Sequence, residues 1–345
     1  MIYQFNFLSH IRALSRYAEK FRVFADFDMH TFQVSLRGEG RTCKLTPRYM
    51  KMHDGRLMYT ESLSQDILDF AGWLPYKGKR WKLSDDKLSF KRYCSSLGLR
   101  TPRLFLRKEE ITTPVLLKRS RSSFGENIEG PFQRNDATHR VVLKSEGDFC
   151  EEFIPGRSAK AWYWDGKLAC LGVQSGAAVT GDGIRTVKEL LTARGQGFRR
   201  STNWRLVESW LLYQGKSVDS VLPRGEQASV DFRHGSALRL PDFGNPNVLR
   251  EIEDKAFVGQ LRDAGPMFWR GIPEDIRQDT AFTVDAVIDD NDQVWFLEMN
   301  SNPALNPDLY AFMLEGLFGP DSKSYWETAR VSVQHAEGAY AQHHS

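Results

Sequence analysis

The stretch from Phe282 to Pro303 constrains the fold of this 345-residue chain more than any other. Two β-rich runs flank a polar cluster, residues 289–293, and this pattern is typical of a β-hairpin. A turn centred in the cluster places Asp285 opposite Glu298, and Asn300 shares the face of Glu298 because side chains alternate along a strand. The other face is apolar and is therefore predicted to face the core. It comprises Phe282, Val284, Ala286, Ile288, Trp295, Leu297 and Met299.

The polar face of this hairpin predicts a metal site. Two carboxylates directly opposite each other on a sheet repel, and a divalent cation between them removes the repulsion. Two carboxylates and a carboxamide form an all-oxygen ligand set that suits Mg²⁺. We therefore predict that Asp285, Glu298 and Asn300 bind Mg²⁺. The alternative is an acidic, solvated hairpin face without a metal, since exposed acidic residues are common.

Length and composition indicate an ordinary globular protein with two or three subdomains. The net charge of +3 is too small to indicate nucleic-acid binding. The cysteines at 43, 94, 150 and 170 show neither paired nor metal-site spacing and predict reduced thiols. No apolar run approaches the roughly 20 residues that span a membrane, and the N-terminus lacks a signal-peptide pattern. We expect a cytoplasmic protein with no nucleic-acid or membrane partner.

A helix is predicted to begin near Ser84, with Ser84 or Asp85 as its N-cap and Gly98 as its stop. Lys87 and Lys91 are one turn apart, so they share one face of this helix. A pair of this kind either forms a solvated face or contacts an anion.

A second candidate for anion binding follows. Residues 115–118 predict a short buried strand that ends at Lys118 and leads into a loop of small residues. Backbone N–H groups and hydroxyls in such a loop suit phosphate, and Lys118 adds a positive charge. The loop residues concerned are Ser122, Ser123 and Gly125. An ordinary polar hairpin loop is the alternative.

Four further segments follow in order. Residues 149–157 contain an acid pair, two apolar residues and then Pro-Gly, and residues 179–191 contain Gly-Asp-Gly followed by a Thr-capped helix signal. Residues 218–226 contain Pro-Arg-Gly-Glu, and residues 231–237 contain an arginine and a histidine.

Taken together, these segments resemble the ATP-grasp enzymes, ligases that activate a carboxylate with ATP and pass it to an amine. The motifs are most like those of cyanophycin synthetases, bifunctional glutathione synthetases and D-alanine–D-alanine ligases, and the likeness spans about residues 80–318. It implies an α+β fold in which two α+β lobes sandwich ATP, preceded by a small α/β domain. The expected boundaries are 1–80 for the N-terminal domain, 81–150 for the central lobe, 151–330 for the C-terminal lobe with the metal site, and 331–345 for a flexible tail.

The resemblance also implies roles for individual residues. ATP would contact Lys91, Lys118, Ser122, Ser123 and Gly125 through its phosphates, and Glu151, Glu152, Phe153 and Ile154 through its adenine. The metal set of Asp285, Glu298 and Asn300 would hold Mg²⁺, with two ions expected and Mn²⁺ as a substitute. Arg233 would be the catalytic residue that stabilises the oxyanion, because a guanidinium fork suits that charge.

Two positions depart from the family pattern. Ser158 stands where such enzymes have a glutamate that holds the ribose, and Thr283 stands where many amide-forming members have an arginine. The first departure bears on nucleotide choice and the second on oxyanion stabilisation.

Three functions remain open from the sequence. The first is an ATP-dependent carboxylate–amine ligase that forms an amide through an acyl-phosphate on an amino acid or peptide, with a homodimer as the expected assembly. The second is a kinase of the same fold that phosphorylates a small molecule without forming an amide. The third is a non-catalytic ATP-binding module. Product analysis with and without amines separates the first two.

Overall fold

The computed structural model describes residues 3–38, 40–53, 56–120, 128–145, 147–193, 202–234 and 247–320. The chain divides into two compact units. Among the described residues, unit 1 comprises 3–79, 275–281 and 302–320, and unit 2 comprises the described parts of 80–274 together with 282–301.

The helices, in chain order, are α1 (Tyr3–Lys20), α2 (Lys82–Asp85), α3 (Lys87–Ser96), α4 (Arg134–Arg140), α5 (Val187–Thr192), α6 (Trp204–Tyr213), α7 (Ala256–Arg270), α8 (Glu274–Arg277) and α9 (Leu309–Phe318). The strands are β1 (Phe24–Phe27), β2 (Val34–Gly38), β3 (Arg41–His53), β4 (Arg56–Thr60), β5 (Ile67–Leu74), β6 (Leu104–Phe105), β7 (Val115–Arg119), β8 (Glu129–Phe132), β9 (Asp148–Glu152), β10 (Arg157–Trp164), β11 (Lys167–Gln174), β12 (Ala177–Thr180), β13 (Gln227–Asp231), β14 (Ala281–Ile288) and β15 (Val294–Ser301). The predicted α+β class is confirmed.

Unit 1 is a five-stranded sheet of β1–β5 with helices from both ends of the described chain. Its core contains a buried polar network that joins α1, β5 and α9. His10 Nδ1 lies 2.8 Å from the Tyr310 hydroxyl, and that hydroxyl accepts the backbone N–H of Trp73 at 3.0 Å. Burial lowers the pKa of His10 to about 3, so its imidazole is neutral at ordinary pH.

Unit 2 contains two four-stranded sheets and a two-stranded ribbon. One sheet has the strand order β6-β9-β7-β8, the other has β11-β10-β14-β15, and β12 pairs with β13. Helix α3 packs on β15, and the Phe268 ring of α7 contacts both elements. Its centroid lies 5.4 Å from that of Phe90 in α3 and 5.0 Å from that of Phe296 in β15. Lys87 of α3 and Lys160 of β10 thereby reach the polar face of the β14–β15 hairpin.

Asp285 lies opposite Glu298 in the hairpin, as predicted, but the turn and the register that lead to this pairing differ from the prediction. Ile288 pairs with Val294, and the turn between them holds five residues. A two-residue turn centred on Asn291 and Asp292 was predicted, so the observed register near the turn is shifted by one residue from the predicted register. A β-bulge at Leu297 then restores the register.

The bulge changes which side chains of β15 face the core. Val294, Phe296 and Met299 are buried, whereas Trp295 and Leu297 are half-buried. The sequence-based assignment of Trp295 and Leu297 to the core face was therefore wrong. An extra residue in one strand reverses the alternation of side chains beyond it, and period-two counting cannot detect it.

Candidate functional site

Asp285, Glu298 and Asn300 lie together at the polar face of the hairpin. Asp285 pairs with Glu298 across the strands, and the Asn300 amide donates a hydrogen bond of 3.0 Å to Asp285 Oδ2. All three side chains are half-buried. The structure thus brings the three predicted ligands together, and their binding of a metal stays a prediction.

Each carboxylate of this pair is bound by a lysine that the sequence did not place in the site. Lys87 Nζ of α3 lies 2.8 Å from Glu298 Oε2, and Lys160 Nζ of β10 lies 2.8 Å from Asp285 Oδ1. The spacing of Lys87 from Lys91 was a signal for the first contact. Nothing local marks Lys160, because the neighbouring positions of β10 and β14 result from the folding of the sheet.

A second charged cluster is more deeply buried. Glu151 is 1% exposed and forms ion pairs with Lys91, at 2.5 Å, and with Lys118. Burial alone would raise the pKa of Glu151, but the charges of Lys118 and Lys91 outweigh it and hold the pKa below its usual value. Burial also disfavours the charged form of Lys91 and so lowers its pKa, whereas the charge of Glu151 opposes that shift. With both lysines protonated, the cluster carries one net positive charge, which suits an anionic ligand.

Helix α3, which carries Lys87 and Lys91, begins at a side-chain N-cap. The cap is Asp86, whose carboxylate accepts a hydrogen bond from the backbone N–H of Leu88 at 3.1 Å and another from the hydroxyl of Ser120, the residue after β7. The predicted cap at Ser84 or Asp85 was wrong for this helix, because a separate turn of helix, α2, ends at Asp85. The chain direction changes at Asp86, and only the residue at that point can cap α3.

The strand predicted to receive adenine is tied into the sheet by its backbone. The N–H of Glu152 donates to Arg103 at 2.9 Å and that of Phe153 donates to Pro114 at 2.8 Å. The Phe153 ring packs edge-on against the stacked pair Trp210 and Tyr213. Ile154, next along the chain, is half-buried. Adenine binding by residues 151–154 stays a prediction.

Arg233, the predicted catalytic residue, is held by Asp231. Its Nε and Nη2 donate to the two carboxylate oxygens at 3.0 and 2.8 Å, and Asp231 is buried. A two-pronged pair of this kind fixes the orientation of the guanidinium. The catalytic role stays a prediction. The predicted loop residues Ser122, Ser123 and Gly125 lie outside the described residues.

Both departures from the family pattern are buried. The Ser158 hydroxyl donates to the carbonyl of Gln174 at 3.2 Å within the β10–β11 pair. Thr283 is fully buried on the same face of β14 as Asp285, and its hydroxyl has no hydrogen-bond partner among the described residues.

The donor set fits a divalent cation. Two carboxylate groups and one carboxamide project from one face of adjacent strands, and hard oxygen donors are what Mg²⁺ and Mn²⁺ prefer. Across the part of the chain that the structure describes, no group of three or more His, Cys, Asp or Glu side chains could hold a metal. The mixed set of Asp285, Glu298 and Asn300 is therefore the metal site to test.

Unit 1 contains an apolar cavity of about 420 Å³. Its lining includes the rings of Phe7, Phe32, Tyr49 and Phe70, with Asp69 as a charged member. Among the residues that line this cavity, none carries a positive charge.

The comparisons with known proteins agree with the motifs. No family model matches the chain. A glutathione biosynthesis bifunctional protein of Streptococcus mutans is 26% identical over 133 residues, which cover 34% of this chain and 18% of that protein. A solved ATP-grasp ligase, bound to a minimal precursor, has a TM-score of 0.31 and 12% identity, with 66% of this chain and 60% of that chain covered. The chain is similar to ATP-grasp ligases. The curated relative is one of the kinds of enzyme that the motifs resemble.

Two further solved structures are similar. A bifunctional glutathione synthetase from Pasteurella multocida has a TM-score of 0.42 and 16% identity, with 90% of this chain and 43% of that chain covered. A D-alanine–D-alanine ligase from Bacillus anthracis has a TM-score of 0.37 and 15% identity, with 71% and 70% covered. The chain thus spans less than half of the length of the two glutathione-forming proteins. None of the described helices is both long and apolar enough to cross a membrane.

Proposed function

We propose that this protein is an ATP-dependent carboxylate–amine ligase that joins an amino acid or peptide carboxylate to an amine and releases ADP and phosphate. The observation that carries the proposal is the pair Asp285–Glu298 with Asn300 on the same face, next to lysines from α3 and β10. Carboxylates for a cation and ammonium groups for phosphate are the parts that phosphoryl transfer requires.

The proposed reaction has two steps. A carboxylate oxygen of the first substrate attacks the γ-phosphorus of ATP, the bond to the β–γ bridging oxygen breaks, and ADP leaves. The amine nitrogen of the second substrate then attacks the acyl carbon, the bond to phosphate breaks, and the nitrogen loses a proton. Lys91 and Lys118 would orient the triphosphate, and Arg233 would stabilise the oxyanion of the second step.

Asp285, Glu298 and Asn300 would hold Mg²⁺, or Mn²⁺ in its place. When bound, the cation neutralises charge on the phosphate oxygens. The number of ions, expected to be two, and a homodimeric assembly remain proposals.

The test is phosphate release from ATP and Mg²⁺ with pools of amino acids and short peptides, followed by mass spectrometry. We expect release that requires both a carboxylate and an amine, and a product lighter by one water than the two substrates combined. Glu298→Gln should abolish turnover, whereas Glu208→Gln, which removes an exposed carboxylate of α6, should not. Turnover that is unaffected by Glu298→Gln would reject the metal assignment.

A kinase is the second candidate, and Thr283 favours it. Its buried hydroxyl takes the place of the arginine that many amide-forming relatives carry, which removes one source of oxyanion stabilisation. A phosphorylated product that forms equally with and without amines would identify this activity in place of the ligase.

A further inference from the structure

The two lysines on the hairpin carboxylates neutralise them one for one. Lys87 pairs with Glu298 and Lys160 pairs with Asp285, each at 2.8 Å. The four side chains are between 16% and 23% exposed, so that water screens these pairs only in part. The like-charge repulsion that a cation would relieve is therefore already offset by the protein itself.

This arrangement opposes the entry of a bare divalent cation. For a cation to reach the carboxylates, both ammonium groups must leave them. That step breaks two ion pairs and places the charge of the cation beside two lysines. A nucleotide changes this balance, since its phosphate oxygens are anions that accept ammonium groups. Lys87 belongs to α3 and Lys160 to β10, and neither is part of the β14–β15 hairpin. Each side chain can therefore move to a phosphate without disrupting the hairpin.

We propose that Lys87 and Lys160 are counter-ions that hold the metal carboxylates until a nucleotide arrives and then pass to its phosphates, so that the divalent cation enters with the nucleotide. This inference rests on the proposed function for the identity of the ligands. It adds two positioning residues and an order of binding to that function.

The two ligands must then raise each other's affinity. By linkage, nucleotide strengthens metal binding by the same factor by which metal strengthens nucleotide binding, and such factors are typically about 5 to 150. Loss of the two lysines should reduce this coupling factor through its effects on both the metal and the nucleotide. The carboxylates become open to the bare cation, and the phosphates lose their ammonium partners.

The experiment measures Mn²⁺ binding to the full chain by electron paramagnetic resonance, with and without a non-hydrolysable ATP analogue. We expect weak binding of Mn²⁺ alone to the wild type and tighter binding with the analogue. The double variant Lys87→Met, Lys160→Met should bind Mn²⁺ alone about tenfold more tightly than the wild type, with a smaller effect of the analogue. Lys87→Arg with Lys160→Arg keeps both charges and should behave like the wild type.

The matched control removes two exposed lysines of unit 2, Lys167→Met and Lys188→Met, and should leave Mn²⁺ binding unchanged. If the methionine double variant melts too low for binding studies, each single variant is measured instead, and its melting temperature should rise more with Mn²⁺ than that of the wild type.

Two results would overturn the inference. One is a methionine variant that binds bare Mn²⁺ no more tightly than the wild type, and the other is an equal effect of the analogue in both proteins. Absence of Mn²⁺ binding to the wild type even with the analogue would reject both the inference and the metal site. Coupled binding without amide formation would leave the inference intact and reject the ligase.

Discussion

The carboxylate of Glu151 lies between two buried ammonium groups, and its removal is therefore expected to be harmful. Glu151→Gln leaves Lys91 and Lys118 side by side without an opposite charge, and breaking a buried pair in this way typically costs about 3–5 kcal/mol of unfolding free energy. Lys118→Met should cost less, because the pair of Lys91 with Glu151 remains. Chemical denaturation of both variants gives the comparison. Equal losses would show that the three charges do not act as one cluster.

The same carboxylate predicts how stability depends on pH. The pKa of Glu151 lies below its usual value of 4.5, so the unfolded chain binds the proton more tightly than the folded chain. Its contribution is complete above the unfolded pKa and is lost as the pH falls through the folded pKa. Melting temperatures between about pH 6 and about pH 3 should fall more steeply for the wild type than for Glu151→Gln. Parallel curves would contradict this assignment.

At the scale of elements, the β14–β15 hairpin has a redundant residue. Deleting Leu297 removes the bulge, and the register of Ala286 with Phe296 then continues directly to Asp285 with Glu298. We expect the deletion variant to fold and to keep the carboxylate pair, with a melting temperature near that of the wild type.

Phe296→Ala is the reference variant for that prediction. It removes a buried ring that packs on Phe268 and should lower the free energy of unfolding by about 3–5 kcal/mol. Thermal unfolding followed by circular dichroism distinguishes the two variants. A Leu297 deletion as damaging as Phe296→Ala would show that the bulge itself is required.

At the scale of the whole molecule, unit 1 is joined by contacts between distant parts of the chain. His10 and Tyr310 are 300 residues apart in sequence and meet in its core. Tyr310→Phe removes the hydroxyl that binds His10 and the Trp73 N–H, and leaving buried polar groups without partners should cost about 1–3 kcal/mol.

The control for Tyr310→Phe is Tyr213→Phe, on the half-buried, stacked tyrosine of unit 2. Its ring packing is kept, and we expect little change in the free energy of unfolding. Denaturant titration followed by tryptophan fluorescence reports both variants. A similar small change in Tyr310→Phe would mean that the buried network adds little to the stability of unit 1.

The α+β class and the opposition of Asp285 and Glu298 could both be predicted from the sequence. The class follows from local rules, because turn residues and the alternation of side chains relate positions only a few residues apart. The opposition holds because the longer turn and the bulge shift the register by one residue in opposite directions. The same rules failed at Trp295 and Leu297, where one extra residue reverses the alternation. They also misplaced the cap of α3, because two short helices meet at Asp86.

Which charges meet could not be predicted from the sequence, because it depends on long-range packing. Lys160 reaches Asp285 across 125 residues, and Lys118 reaches Glu151 across 33. The sequence marked Lys91, Lys118 and Glu151 as separate ligands of one nucleotide, but not as partners of one another. Such pairs depend on which strands become neighbours and how a helix packs on them, and burial then makes each pairing strong by excluding water. That long-range packing, absent from any local pattern, is what placed a lysine on each carboxylate of the candidate metal site.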